Sequence, residues 1–101
     1  MDDRRSYFVY ITTNVQRSVL YTGVTNNLVQ RLWEHQQDAS WLKKTFAGKY
    51  NCFNLIYWEH FQDIRYAIAR EKEIKGWRRS KKEALIKEMN PHWQFLNDEL
   101  A

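Results

Sequence analysis

Cysteine is almost missing from this chain of 101 residues: Cys52 stands alone, so no internal disulfide can staple the fold. Its thiol reads as a small core hydrophobe beside Phe53. A nucleophilic role would need a histidine in reach, and nothing local offers one. Proline occurs once and glycine three times, which excludes collagen-like, linker-like and low-complexity chains. No apolar run approaches the roughly 20 residues that cross a bilayer. The opening Met1-Asp2-Asp3-Arg4-Arg5 has no apolar stretch of the kind a signal peptide carries. A reducing cytoplasm is therefore the expected compartment, and no membrane partner is expected.

What the chain does have is aromatic weight. Sixteen per cent of its residues are Phe, Trp or Tyr and 44% are hydrophobic, enough for an ordered core in a single domain spanning 1–101, with its body over about 7–95. Lysine and arginine outnumber aspartate and glutamate 16 to 12, giving a net charge of +4. That excess favours polyanionic partners only mildly; its distribution says more. Lys43, Lys44 and Lys49 sit together mid-chain, and Lys72, Lys75, Arg78, Arg79, Lys81 and Lys82 crowd a later segment. Either a solvated helix face or a nucleic-acid track fits such clusters.

The β-branched and aromatic run at 7–12 predicts a strand, and Val19 to Thr22 a second one closing a hairpin and ending at Gly23. Gly23 marks a place where the backbone needs an unusual conformation or a close approach. Thr25, Asn26 and Asn27 offer N-caps for a helix over about 27–38, with Leu28 and Leu32 on its apolar stripe and Val29 and Trp33 to one side. The pattern over 40–52 is ambiguous. Residues 54–60 predict a third strand and 62–77 a long helix. Ser80 with Glu83 three residues on reads as a capping box opening a last helix that stops at Asn90, before Pro91. Trp93 and Phe95 are expected to fold the tail back onto the core. The fold class implied is α+β, a small three-stranded and mostly antiparallel sheet flanked by helices.

Three features carry chemical information. On the 62–77 helix, Ile64, Ala67, Ile68 and Ile74 define an apolar face with Glu71 at its centre, and a carboxylate there costs free energy unless a charge or a metal compensates it. A structural salt bridge to Arg31 would satisfy it; so would a divalent ion. Arg31 and His35, four apart, share a stripe at the edge of the first helix's apolar surface and can reach a common cleft. Tyr10 and Tyr21 lie one on each hairpin strand, the second followed closely by Gly23.

Phe8-Val9-Tyr10, then ten intervening residues, then Tyr21-Thr22-Gly23 resembles the paired motif of the GIY-YIG nucleases. Arg31 falls at the position of that family's helix arginine, Glu71 at its metal-binding glutamate and Asn90 near its late asparagine. The run from Ala69 to Arg79 is similar to the small standalone bacterial members. The chain departs from the pattern at Phe8, Thr22, Val24 (where some members carry lysine) and His35 (where others carry tyrosine).

The resemblance implies an endonuclease that hydrolyses phosphodiester bonds with magnesium, or manganese in its place. Glu71 would hold the ion, Arg31 would clamp the scissile phosphate, and Tyr10 or Tyr21 would be the general base, with His35 as a relay and Asn90 positioning the glutamate or the phosphate. A free tyrosine titrates near about 10, so neighbouring groups would have to assist. The lysine and arginine clusters and Gly23 become a nucleic-acid surface, DNA ahead of RNA. Self-association or an accessory protein would supply further contacts. A catalytically silent nucleic-acid-binding module and a protein-interaction domain are the competing readings.

Overall fold

A computed structural model describes residues 6–42 and 46–100, and at 41, 42 and 46 it describes the backbone alone. Three strands form one antiparallel sheet: β1 (Tyr7–Thr13), β2 (Leu20–Thr25) and β3 (Asn54–Phe61), in the order β2-β1-β3. In the hairpin, Tyr10 faces Gly23 and Val9 faces Val24. The strand β2 continues past Gly23 to Thr25, two residues beyond the expected end, and no glycine has a positive φ. Close approach, not backbone freedom, is what Gly23 supplies: a Cβ there would lie 2.4 Å from the Tyr10 hydroxyl oxygen. Between β1 and β3 the register slips at Ile11/Thr12, a bulge that leaves Ile56 as the extra residue of β3.

Helices cover both faces. Helix α1 (Leu28–Gln37) begins at Asn27, whose side chain accepts from the Gln30 amide at 3.0 Å, so the expected cap is the one used. It runs on as a π-helical turn over Asp38–Leu42, and a short helix α2 (Phe46–Lys49) follows. The ambiguous 40–52 region is thus two brief helical pieces where it is described. The long helix is α3 (Ile64–Lys75), capped by Asp63, and α4 spans Arg79–Met89. The expected capping box is not formed. Arg78 occupies the cap position with no side-chain bond, Ser80 already lies inside the helix, and Glu83 pairs with Arg79 at 2.9 Å.

Alternation along the strands divides the interior. Val9, Ile11 and Ile56 meet Ala67 and Ile74 of α3 and Ile86 of α4 on one side; Tyr10 and Leu55 meet Leu28 and Leu32 of α1 on the other. The buried face of α3 is turned from the one its isoleucines suggest. Ile64 and Ile68 are each 39% exposed, while Arg70, Glu71 and Trp77 are half-buried beside Ala67 and Ile74. The cause lies on β3. Arg70 forks onto Glu59 at 2.8–3.2 Å, Tyr57 donates to the same carboxylate, and the guanidinium lies over Trp77. A bidentate arginine pair of low exposure fixes rotation as well as distance.

The tail closes the open edge of β3. The Leu96 amide donates to Leu55, and Asn97 bonds the Leu55 amide and the Phe53 carbonyl, which covers backbone groups that would otherwise template another strand. Trp93 packs at the margin of the core as expected, whereas Phe95 stays 36% exposed under the Arg17 guanidinium. Cys52 is fully buried, and burial pushes its thiol up to about 11, so it behaves as an inert core group.

Candidate active site

Three elements bring the expected tyrosines and histidine together. Tyr10 points from the middle strand toward α1, and the missing side chain at Gly23 is what lets its ring lie flat over β2. Its hydroxyl is 2.8 Å from His35 Nε2, and the Tyr21 ring packs beside its own. The three rings pack as one cluster, with centroids 5.3–6.2 Å apart and Tyr21 edge-on to His35. His35 is not at the margin of the helix stripe, as its spacing suggested. It is 4% exposed, on the same buried side as Leu28 and Leu32. Tyr10 accepts it there: a hydroxyl on the opposing strand supplies the polar partner that a buried imidazole requires.

The electrostatics rank these groups. Tyr10 is held protonated far above the ordinary phenol range, first by burial and then by the neighbouring Tyr21; Glu71 adds to this and Arg31 opposes it. His35 is lowered, first by burial and then by the Arg31 charge, against the weaker pull of Asp38 and Glu34. It is therefore neutral at neutral pH. A neutral imidazole can take either tautomer, so Tyr10 either donates to Nε2 or accepts from it, and in the second case its own proton can turn toward Tyr21. Tyr21, Tyr10 and His35 thus follow one another from β2 across β1 to α1.

Arg31 and Glu71 stand at the mouth of this chain. Arg31 is half-exposed on α1, and its one ion pair among the described residues is a long, 3.6 Å contact to Glu34, which leaves guanidinium donors for an anion. The salt bridge between Arg31 and Glu71 is not made. Glu71, its side chain only 12% exposed, pairs with Lys75 at 2.6 Å, and the Lys75 ammonium lies 5.9 Å from the centre of the Tyr21 ring. Among the described residues no three His, Cys, Asp or Glu side chains converge as a metal cage. What Glu71 offers a cation is one hard carboxylate, mostly shielded and facing the tyrosines. That suits a magnesium-like ion that keeps water and takes further oxygens from a phosphate.

Other expected residues lie elsewhere or do other work. Asn90 is buried, and its whole amide is engaged: Nδ2 donates to the Ile56 and Gln94 carbonyls and Oδ1 accepts from the Gln94 amide. It holds the tail to β3, and the bonds it makes are to backbone, not to Glu71. Arg79 is likewise engaged, tying α4 to the hairpin turn through the Arg17 and Ser18 carbonyls. Lys81 lies over the Trp77 ring at 4.3 Å. Lys72 and Arg78 are exposed and Lys82 is half-buried. Lys43 and Lys44 lie outside the described residues.

Two contacts were not anticipated. The Glu59–Arg70 fork leaves a faint trace in the sequence, a carboxylate in an otherwise apolar-aromatic strand. The proximity of Lys75 to Tyr21 leaves none, because it depends on how α3 crosses the edge of the sheet.

Comparison with known proteins agrees with this geometry. The GIY-YIG catalytic domain family matches residues 6–84. A UPF0213 protein of Desulfotalea psychrophila is 34% identical over 85 residues, covering 84% of this chain and 74% of that protein. One from Natronomonas pharaonis is 36% identical over 80 residues, covering 79% and 89% respectively. The solution NMR structure of a UPF0213 protein from Bacillus halodurans superposes with a TM-score of 0.55 at 27% identity, over 87% of this chain and 89% of that one.

Proposed function

The chain belongs to the GIY-YIG catalytic domain family, and on that premise we propose that it is a divalent-metal-dependent endonuclease that hydrolyses phosphodiester bonds, DNA being the first substrate to test. The observation that carries this reading is the meeting of Tyr10, Tyr21 and His35 in one ring cluster joined by the Tyr10–His35 hydrogen bond, with Arg31 and Glu71 close enough to perturb Tyr10 electrostatically.

Hydrolysis needs an activated water, a neutralised phosphoryl group and a stabilised leaving oxygen. In this reading Tyr21, having lost its own proton to solvent, reacts as the phenolate and takes up the proton of the attacking water to become the neutral phenol. Tyr10 is unsuited to that task because burial keeps it protonated; its role is to point its hydroxyl at Tyr21 and steady the phenolate until the water proton arrives. His35, neutral with its proton on Nε2, donates to the Tyr10 oxygen and orients that hydroxyl without gaining or losing a proton. Arg31 grips the scissile phosphate with paired donors. Glu71 would hold a single magnesium or manganese ion, which when bound supplies charge neutralisation at the phosphate. The exposed Lys72 and Arg78, with Lys82, offer backbone contacts that fix register without reading sequence.

The decisive experiment incubates wild type and Glu71→Ala with plasmid, branched and single-stranded DNA and with RNA, in magnesium or manganese. Metal-dependent cleavage by wild type, reduced about a hundredfold or more in the variant at equal binding, supports the nuclease. Salt-sensitive binding equal in both proteins, with every substrate left intact, would instead make the chain a silent nucleic-acid-binding module.

A further inference from the structure

Two glutamate–cation pairs involve neighbouring residues of α3, and they are built differently. Arg70 holds Glu59 by a fork of three bonds, with a tyrosine hydroxyl as a further donor. Lys75 holds Glu71 by one contact of 2.6 Å. An ammonium has no fork, is strongly hydrated and sits on a flexible stem, so the second pair is the exchangeable one. Glutamate and lysine four apart on an open helix face would be unremarkable. Here the carboxylate side chain is only 12% exposed, and the ammonium leans over Tyr21 while half of the lysine side chain remains in solvent. The lysine thus occupies the cation sector of a shielded carboxylate and has an open path away from it.

We propose that Lys75 is the resident counter-cation of Glu71, filling the place of the divalent ion when no ion is bound and giving it up when one binds. The inference rests on Glu71 being the metal ligand. A divalent ion and an ammonium cannot share one carboxylate oxygen without strong mutual repulsion, so binding of the ion must drive Lys75 off. The displaced side chain, half in solvent and next to Tyr21, then presents its charge at the rim of the cleft, where a phosphate would lie. The pairing also accounts for how a mostly shielded carboxylate is tolerated without metal: its charge is never left uncompensated.

The test is binding of manganese to the free protein without nucleic acid, read by water-proton relaxation enhancement. Lys75→Met and Lys75→Gln are compared with wild type, with Lys87→Met, which removes the same charge from the last turn of α4, and with Glu71→Gln. Removing the competitor should tighten manganese binding by about three- to tenfold in both Lys75 variants. Lys87→Met should not change it, and thermal melts should show all variants folded. If the Lys75 variants bind no more tightly than Lys87→Met, the lysine is not a competitor and the inference is overturned while Glu71 stays a ligand. If Glu71→Gln binds manganese as wild type does, the metal assignment itself is wrong and the role of Lys75 falls with it.

Discussion

Alternate residues of β1 lead into two chemically different interiors. Val9 and Ile11 enter a dry layer under α3 and α4, where Ile56, Ala67, Ile74 and Ile86 are fully buried. Tyr10, between them, enters a layer under α1 that contains an imidazole and a second phenol. Among the buried apolar side chains of the first layer volume and shape decide, and the Arg70–Glu59 fork at its margin sets how α3 is turned onto it. The second depends on named atoms: a hydroxyl 2.8 Å from a ring nitrogen, and a glycine whose replacement would collide with that hydroxyl. The fold is thus stabilised on one side of a strand and made reactive on the other. Damage to the two sides should be distinguishable.

The largest effect is expected on the dry side. Ile74 is fully buried between the sheet and α4, so Ile74→Ala should lower the unfolding free energy by about 2–5 kcal/mol in urea titration. The fraction still folded should keep the Tyr10–His35 pair, seen as an unchanged histidine resonance in NMR. A loss below about 1 kcal/mol would mean that the layer collapses around the hole, and the contrast between the two sides would then be weaker than the burial implies.

A smaller stability effect with a larger functional one is expected on the other side. Tyr10→Phe keeps the ring and removes the oxygen, leaving His35 Nε2 without its bond. The expected cost is about 1–2 kcal/mol, and cleavage, if the proposed mechanism holds, should fall by about tenfold or more because the Tyr21 phenolate loses the hydroxyl that steadies it. Equal losses of stability in Ile74→Ala and Tyr10→Phe would break the comparison; unchanged cleavage in Tyr10→Phe would remove Tyr10 from the proposed mechanism.

The same division explains what the sequence could convey. The dry layer was legible because period-2 alternation and helical spacing encode burial directly, and Asn27 marks a helix start by a local rule. The tyrosines and Gly23 were legible as a pattern, and the reason for the glycine, room for Tyr10, became visible only with strands paired. Contacts that depend on how layers turn against each other were hidden. The rotation of α3 by the Arg70–Glu59 fork is one such case, and it moved Ile64 and Ile68 outward. The burial of His35 is another, since a histidine at the end of a helix gives no sign of the hydroxyl awaiting it. Asn90 looked available for chemistry because nothing local reveals that its amide would be fully engaged by the tail. Ser80 and Glu83 matched a capping box by spacing, but the helix starts one residue before Ser80 and Arg79 takes the glutamate.

The smallest effect is a pH dependence that belongs to the α1 side alone. Burial and the Arg31 charge keep the His35 pKa below its ordinary value of 6.5, with Asp38 and Glu34 pulling weakly the other way and the two tyrosines facing the ring. As pH falls, the unfolded chain therefore takes up the histidine proton before the folded protein does. More protons on the unfolded state means that stability drops with decreasing pH. The contribution is complete above about 6.5 and is lost as pH falls from there toward the folded value. Denaturation of wild type and His35→Gln at several pH values isolates the term, because His60, His92 and the carboxylates remain common to both. The difference between the two curves should be level above about 6.5 and shrink steadily below it. Ile74→Ala against wild type should give a constant offset over the same range, since nothing titrates where that side chain was. Parallel curves for His35→Gln would mean that the imidazole accepts a proton in place, and the cluster around it would then be wetter and less distinct from the rim of the cleft than its burial indicates.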